Sequence, residues 1–170
     1  GAQGIFFVYD QSGSAWNLLH FNVEPFRNDT LRVHAGFNNT GAPEYQGIVP
    51  EGLLSGSVKA NTWTHVVMTY DCSSSTYTLY KSGIPVPVAS AWGSGKPTQI
   101  WTNGNKTTAM GNLNFKSPPA GIVLGAFPQA VTPTINSGIG GPQPWSGNFQ
   151  GAIDNLRVYN KALSQTEIGS

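Results

Sequence analysis

Hydrophobic and polar residues alternate with a period of two in a series of short segments separated by Gly, Asn, Ser or Pro. Because successive side chains of a strand point to opposite faces, this period predicts β-strands with one buried face. The predicted strands are Ile5–Tyr9, Trp16–Val23, Thr30–Phe37, Trp63–Tyr70, Thr76–Lys81, Ile122–Leu124 and Gly151–Tyr159, with weaker ones at Ile84–Val88 and Leu113–Phe115. The pattern is typical of an all-β sandwich or barrel and not of alternating strands and helices.

The turn Lys81-Ser82-Gly83 separates two of the predicted strands. Gly83 accepts the positive φ that a tight turn requires, so the sequence predicts a β-hairpin here. Pro85 and Pro87 alternate in the second arm, and proline has no N–H to donate to a neighbouring strand. The second arm is therefore expected to lie at a sheet edge or to leave the sheet early.

One stretch, close to the end of the sequence, predicts a helix. Ser164-Gln165-Thr166-Glu167 is a capping box, in which the Ser164 hydroxyl accepts from the backbone N–H of Glu167 and the Glu167 carboxylate reaches back. Leu163 and Ile168 flank it as a hydrophobic staple. We expect a single helical turn.

The composition fits one folded domain with few charges. The 170 residues include 21 Gly and 12 Pro, 10% of the residues are charged, and the formal net charge is +1. A helical bundle or coiled coil would carry more charge, and a nucleic-acid partner would require a basic surface. No apolar run reaches about 18 residues, so membrane insertion is not expected. Cys72 is the only cysteine, which excludes an intramolecular disulfide.

Three segments carry a family resemblance. They are Asn61–Asp71 with its Trp-Thr-His-Val strand, Tyr77–Gly83 with Leu-Tyr before a turn glycine, and Phe149–Ile168 with Gly-Ala-Ile-Asp-Asn-Leu-Arg-Val-Tyr followed by Ala-Leu-Ser. In this order and spacing they resemble the laminin-G-like (concanavalin A-like) jelly-roll family, and Ile122–Gly125 looks like the short strand before the closing one. The resemblance covers residues from about Leu53 onward.

The resemblance implies a two-sheet antiparallel jelly-roll sandwich that spans residues 1–170 as a single domain. It also implies that glycans or proteins bind on a concave face or at a rim of loops. Residues 1–50 match only loosely and the usual opening strand is not evident, which leaves open a missing first strand or a preceding domain. Ser82 stands where the family commonly has Asp. Lectins, carbohydrate-binding modules, adhesion domains and glycanases share this fold, so the fold alone does not decide the function.

A glycan-cleaving enzyme on such a scaffold needs two carboxyl groups about 5–9 Å apart. The 8 Asp and Glu residues are scattered singly along the chain. No nucleophile elbow, zinc-ligand spacing or phosphate loop is present. His20, His34 and His65 each lie in a predicted strand, and for His65, in the Trp-Thr-His-Val strand, we expect a packed, hydrogen-bonded side chain. The sequence therefore favours a non-catalytic protein.

Residues of the loops are the ones that we expect to bind a sugar, because a pyranose ring stacks on a flat aromatic face and planar amides bind its hydroxyl groups. The candidate ligand-binding residues are Trp92, Trp101, Trp145, Asn103 and Asn105 in the long stretches 89–119 and 127–148, with Tyr45 in an earlier loop. The alternative is that the loop tryptophans fill the ends of the sandwich. Trp16 and Trp63 lie within predicted strands and are expected in the core.

Calcium is the one metal that the resemblance brings into question, because several members of the family bind it at the rim through clustered oxygen ligands. Asp10, Asn28 and Asp29 are the candidate ligands here, although loop Asp and Asn residues also cap turns through their own backbone. No cofactor is established by the sequence, and calcium stays open.

Three functions follow. The first is a non-catalytic, lectin-like module of a bacterial secreted or cell-surface protein, which binds an oligo- or polysaccharide. The second is a structural or adhesion module that contacts a neighbouring protein domain, which buried positions for Trp92, Trp101 and Trp145 would favour. The third, ranked last, is a glycan-active hydrolase, which two converging carboxylates would favour.

Overall fold

The computed structural model of the chain describes residues 1–9, 19–27, 30–37, 58–86, 111–112, 118–132, 135 and 143–169. Its strands are β1 (Ala2–Tyr9), β2 (Leu19–Arg27), β3 (Thr30–Phe37), β4 (Val58–Lys59), β5 (Val66–Asp71), β6 (Thr76–Lys81), β7 (Ile84–Val86), β8 (Gly121–Leu124) and β9 (Ser146–Asn148). A 3₁₀ turn, Pro128–Ala130, lies between β8 and β9, and helix α1 (Gln165–Gly169) follows β9.

Within the part of the chain that the structure describes, the larger sheet contains six strands, in the order β4-β3-β2-β1-β8 with β9 also paired to β1. β1 to β4 are antiparallel neighbours in chain order. β9 differs from the predicted antiparallel arrangement, because Ser146–Asn148 runs parallel to Ala2–Gly4. β1 thus occupies the middle of the sheet and holds β8 and β9 along the edge that β2 leaves free.

The smaller sheet contains β5, β6 and β7 in that order, all antiparallel. Lys81 pairs with Ile84, so Ser82 and Gly83 alone form the turn, with φ of 50° and 77°. Two consecutive positive φ values give a two-residue turn the twist of the strands that it joins. The predicted hairpin is confirmed, and its second arm, β7, is an edge strand of the described sheet.

One hydrophobic core lies between the two sheets. Val23 and Val33 of the larger sheet and Leu79 of the smaller sheet are its fully buried members. Partly buried side chains of both sheets, and Phe149 just after β9, pack around them; those of the sheets are Ile5, Leu19, Phe21, Leu31, Val58, Val66, Met68 and Tyr70. Within each strand these residues are mostly spaced two apart, as one face of a strand requires. The structure confirms the predicted all-β sandwich of two sheets with a short C-terminal helical turn.

A second hydrophobic cluster lies on the outer face of the larger sheet. Its buried members are Ala2, Phe7, Val123, Ala126 and Phe127. The chain crosses the sheet closely at Gly4, where an added Cβ would lie 2.2 Å from the backbone carbon of Ala126. A residue with a side chain would not fit at this position, so Gly4 is what allows the chain near Phe127 to lie against the sheet.

The capping box predicted at the end of the chain is confirmed. The Ser164 Oγ accepts from the backbone N–H of Glu167 at 3.3 Å, and the Ser164 N–H donates to Glu167 Oε2 at 2.8 Å. Lys161 Nζ donates to the other carboxylate oxygen of Glu167. Ile168 is buried, so the one turn of α1 is fixed both by its cap and by its apolar side chain.

The strand predicted at Gly151–Tyr159 is wrong. Residues 151–159 pair with no strand within the described residues, and all of them are exposed. Asn155 has a φ of 52°, which interrupts an extended backbone. Alternation is a local pattern, whereas a strand exists only where its N–H and C=O groups find a partner strand.

Other strand boundaries shift for similar reasons. β5 begins at Val66, so Trp63 precedes the sheet. β4 and β9 are strands that the pattern did not predict, because both are too short to alternate and β9 is Ser146-Gly147-Asn148. The weak strand predicted at Leu113–Phe115 lies outside the described residues, as do residues 16–18 and 87–88 of two other predictions.

Candidate functional site

An aromatic column runs from the interior of the outer-face cluster to the surface. The His20 and Phe7 rings stack with centroids 5.8 Å apart, and the Phe7 and Phe127 rings lie 4.7 Å apart. The Phe127 and Trp145 rings meet edge to face at 5.6 Å. His20, Phe7 and Phe127 are fully buried, whereas Trp145 is 37% exposed. Trp145 therefore presents an indole surface to solvent from a packed base.

A tight turn and a strand position the Trp145 backbone. The Ser146 N–H donates to the Gln143 carbonyl at 3.0 Å, and Pro144 takes the second position, where its fixed φ suits a turn. The Ser146 Oγ accepts from the Gln143 N–H at 3.2 Å. The Trp145 carbonyl accepts from the Ala2 N–H at 2.8 Å, just before β9 joins β1. The backbone of Trp145 is thus held on both sides of the residue.

Two amide side chains are buried on this side of the larger sheet. Asn22 of β2 lies opposite Gly4 in the register, and Gln129 belongs to the 3₁₀ turn two residues after Phe127. Both are almost completely inaccessible, and none of their side-chain N and O atoms has a hydrogen-bond partner. An unpaired buried amide costs about 1–3 kcal/mol. These two buried amides therefore lower the stability of the folded state.

Gly111 is hydrogen-bonded to two side chains of the β5–β6 hairpin. The Tyr70 hydroxyl donates to the Gly111 carbonyl at 2.7 Å, and the Gly111 N–H donates to the buried Ser75 Oγ at 2.7 Å. Burial raises the pKa of Tyr70, and its hydrogen bond with Ser75 partly offsets that effect. Gly111 is therefore held beside the β5–β6 turn.

Three described carboxylates bind groups in their own turns. Asp71 accepts from the Ser73 N–H, the Ser73 hydroxyl and the Ser74 hydroxyl at 2.7–2.9 Å, and these bonds, those of Ser73 first, lower its pKa. Glu167 does the same for α1, and Asp154 Oδ1 accepts from the adjacent Asn155 N–H. Their contacts organise turns. Among the described residues, no group of three or more His, Cys, Asp or Glu side chains could hold a metal ion.

Trp145 is the predicted sugar-binding residue whose position the structure describes, and it lies at the surface and not in the core. Trp92, Trp101, Tyr45, Asn103 and Asn105 lie outside the described residues. The candidate calcium ligands Asp10, Asn28 and Asp29 lie outside them as well. The site that the structure builds therefore consists of Trp145 and its neighbours.

Two predictions of core positions are wrong. Trp63 was expected in the core but is 73% exposed, and His65 was expected to be packed but is also exposed. Both precede Val66, where β5 begins, so neither is covered by the sandwich. His20, in β2, is buried. The chain turns at Asn61, whose φ is 58°. Asparagine is a common turn residue, so its presence two positions before Trp63 is the sequence signal that Trp63 precedes the strand.

Comparison with known proteins gives little further information. No protein-family model matches the chain, and no curated protein matches it. A crystal structure of an S-layer domain-containing protein from Clostridium thermocellum is similar at a TM-score of 0.32 and 19% sequence identity, over 99% of this chain. The chain spans 62% of the length of that protein's chain. A likeness of this degree carries no argument about function.

None of the described helices is long and apolar enough to cross a membrane.

Proposed function

We propose that this chain is a non-catalytic, lectin-like module of a bacterial secreted or cell-surface protein, with the laminin-G-like fold that its sequence resembles. The observation that carries the proposal is the position of Trp145, which exposes part of its indole while its inner edge packs against Phe127. A sugar ring has an apolar face of C–H groups that packs on such a surface. Gln143, exposed in the same turn, offers an amide for the sugar hydroxyl groups.

Rigidity of the Trp145 side chain favours this function. Binding costs free energy when a mobile side chain becomes ordered, about 0.5–1.5 kcal/mol for a flexible residue. Trp145 is already held by Phe127 and by the hydrogen bond from Ala2 to its carbonyl. Part of that cost is therefore met by folding and not by the ligand.

A glycan array probed with the intact chain tests the proposal. We expect binding to a defined saccharide, and Trp145→Ala should weaken that binding by about tenfold or more, equivalent to about 1.4 kcal/mol. Trp63→Ala is the matched control, since it removes a more exposed indole outside the site. Parallel arrays with Ca²⁺ and with a chelator show whether a metal takes part. A folded wild-type protein that binds no glycan, or a Trp145→Ala variant that binds normally, would contradict the proposal.

A second function, contact with a protein, is favoured by a separate observation. Residues 151–159 are exposed throughout and include Ile153, Leu156, Val158 and Tyr159. Large apolar side chains gathered in one exposed segment are typical of a surface that another molecule covers. A structural or adhesion module would use this segment, and the glycan site at Trp145 does not involve it.

A further inference from the structure

The two chain segments that build the Trp145 site contain no charged residue. β1 pairs with β9 directly after Trp145, and Phe127 packs against the indole ring. These elements belong to residues 1–9 and 117–153, in which Asp, Glu, Lys, Arg and His do not occur. The site is therefore built from apolar side chains, amides, hydroxyl groups and the backbone.

Glu24 of β2 is the acidic residue that the described sheet brings nearest by register. It follows Val23, which pairs with Gln3, whereas Trp145 precedes β9 on the opposite side of β1. Two strand spacings, about 10 Å, lie between β2 and β9. Arg32 of β3 lies opposite Glu24 in the register. Over such a distance physiological salt screens most of the field of an exposed charge.

The other described carboxylates near and far in the chain have partners of their own. Asp154, the first charged residue after 117–153, accepts from the Asn155 N–H at 2.8 Å. Asp71 and Glu167 accept from groups of their own turns. The described surface at Trp145 thus offers a ligand uncharged hydrogen-bonding groups, and the exposed Gln143 amide is one of them.

We propose that the Trp145 site binds a neutral saccharide unit, one that carries no carboxylate, sulfate, phosphate or ammonium group. The inference rests on the glycan-binding function proposed above and names the class of sugar. Hydroxyl groups both donate and accept, so amides and backbone groups satisfy them without a charge. An acidic sugar is bound strongly where Arg or Lys replaces the water around its charge, and an ammonium group where a carboxylate does so.

Stacking on the indole strengthens this selection. A sugar ring that covers the exposed part of Trp145 displaces water from both surfaces, so a charged substituent on that ring loses part of its hydration. Without an opposite charge nearby, no interaction compensates that loss. We therefore expect the site to discriminate against charged sugars and to bind its ligand with an affinity that salt hardly changes.

A glycan array that holds neutral, sialylated, sulfated and amino saccharides tests the inference with the intact chain. We expect the tightest binding to neutral saccharides, and Trp145→Ala should weaken it. The Kd for the best neutral saccharide should change by less than about twofold between about 50 mM and about 500 mM NaCl, because no exposed charge pair is screened.

A matched pair of ligands isolates the charge. The neutral saccharide that binds most tightly is sulfated and, to the same degree, methylated, because methylation changes the same hydroxyl groups without adding charge. The sulfated form should bind about tenfold or more weakly than the methylated form. Gly1 lies beside Trp145, since an added Cβ would be 2.8 Å from the Trp145 carbonyl oxygen. The chain is therefore also tested with its α-amino group acetylated, and should show the same preference.

Gln143→Lys tests the cause of the preference, because it places a positive charge in the turn that holds Trp145. At about 50 mM NaCl this variant should bind the sulfated form about two- to fivefold more tightly than the wild type does, and about 500 mM NaCl should remove the gain. Gln165→Lys is the matched control, since it makes the same change at an exposed residue of α1. It should bind the sulfated form as the wild type does.

The outcomes separate the inference from the function on which it rests. Binding that depends on Trp145 but prefers acidic or amino saccharides would overturn the inference and leave the lectin function standing. A folded protein that binds no saccharide on the array would overturn both. Circular dichroism shows whether each variant is folded. A folded Gln143→Lys variant that gains no affinity for the sulfated form would also overturn the inference, because charge at the site would then not set the preference.

Discussion

Phe127 and Trp145 meet edge to face, with ring planes at 89° and centroids 5.6 Å apart. Phe127 is completely buried and also packs on Phe7. The exposed indole of Trp145 therefore rests on a side chain that the outer-face cluster holds in place. Edge-to-face pairs contribute about 0.5–1.5 kcal/mol beyond the area that they bury. The surface position of Trp145 therefore depends on a residue that no ligand could touch.

Phe127→Ala should destabilise the fold by about 3–5 kcal/mol, because it empties a fully buried aromatic site. Phe127→Leu should cost less, since it leaves most of the volume filled. Urea unfolding measures both. In whatever fraction remains folded, the alanine variant should also bind glycan more weakly than the wild type, since Trp145 loses its base. A loss of stability below about 1 kcal/mol would show that Phe127 is not packed as described.

Gly4→Ala should be strongly destabilising, by about 3 kcal/mol or more, because its Cβ would meet the Ala126 backbone at 2.2 Å. The atoms that this Cβ would meet belong to the backbone, which cannot rotate away as a side chain can. Gly169→Ala is the control, since an added Cβ there meets nothing within 4 Å and alanine favours a helix. The change in the midpoint of thermal unfolding should be negative for Gly4→Ala and positive for Gly169→Ala. Small and similar changes in both variants would refute the close approach of the chain at Gly4.

Gln129→Met should leave stability unchanged or raise it by about 1 kcal/mol, because it removes a buried amide that makes no hydrogen bond. Ser75→Ala is the contrasting variant. It removes the acceptor of the Gly111 N–H from a buried position and should cost about 1–3 kcal/mol. Chemical denaturation measures the change in the free energy of unfolding of each variant and so checks both predictions. Marked destabilisation by Gln129→Met would indicate that the amide has a bound partner in solution.

The capping box should respond to acid. The hydrogen bond from Lys161, followed by the hydrogen bonds from Ser164, lowers the pKa of Glu167 from 4.5 to about 2. The folded state thus binds this proton less readily than the unfolded state, so the stabilisation is complete above pH 4.5 and is lost as the pH falls to about 2. The carboxyl group can be titrated by NMR, with thermal unfolding followed in parallel.

Two variants test the cause of the lowered pKa of Glu167. Glu167→Gln should be less stable than the wild type at neutral pH, and the difference should disappear near pH 2. Lys161→Gln should move the pKa of Glu167 back towards its ordinary value while the contacts with Ser164 remain. A titration midpoint that Lys161→Gln leaves unchanged would mean that the ion pair does not form in solution.

The sequence predicts the parts of the fold that depend on local chemistry. β3 and β6 begin and end at the predicted residues, since alternation and turn residues act together there. The β6–β7 hairpin and the capping box of α1 are confirmed for the same reason. β9 could not be predicted, because Ser146-Gly147-Asn148 carries no pattern and becomes a strand only beside β1.

The site is less accessible to sequence reasoning than the fold. The exposure of an aromatic residue depends on which other parts of the chain cover it. Whether the residue lies in a strand pattern or in a loop does not by itself decide that exposure. Trp145 was predicted as a loop residue and lies at the surface, whereas Trp63 was assigned to a strand that in fact begins three residues later. The packing of Trp145 on Phe127 joins two segments of the long 127–148 stretch, and periodicity along the chain contains no signal for it.

Residues far apart in the chain meet where β9 joins β1. The Gln150 N–H donates to Gln3 Oε1 across 147 positions, and Ser146 pairs with Ala2. Bringing such distant segments together costs loop-closure entropy before any contact forms, which makes non-local pairing slow. The hairpins β2–β3 and β5–β6 join residues close in the chain and can form early. β8 and β9, which both pair with β1 from far along the chain, are therefore expected to dock after these hairpins, and Trp145, just before β9, takes its place in this late step.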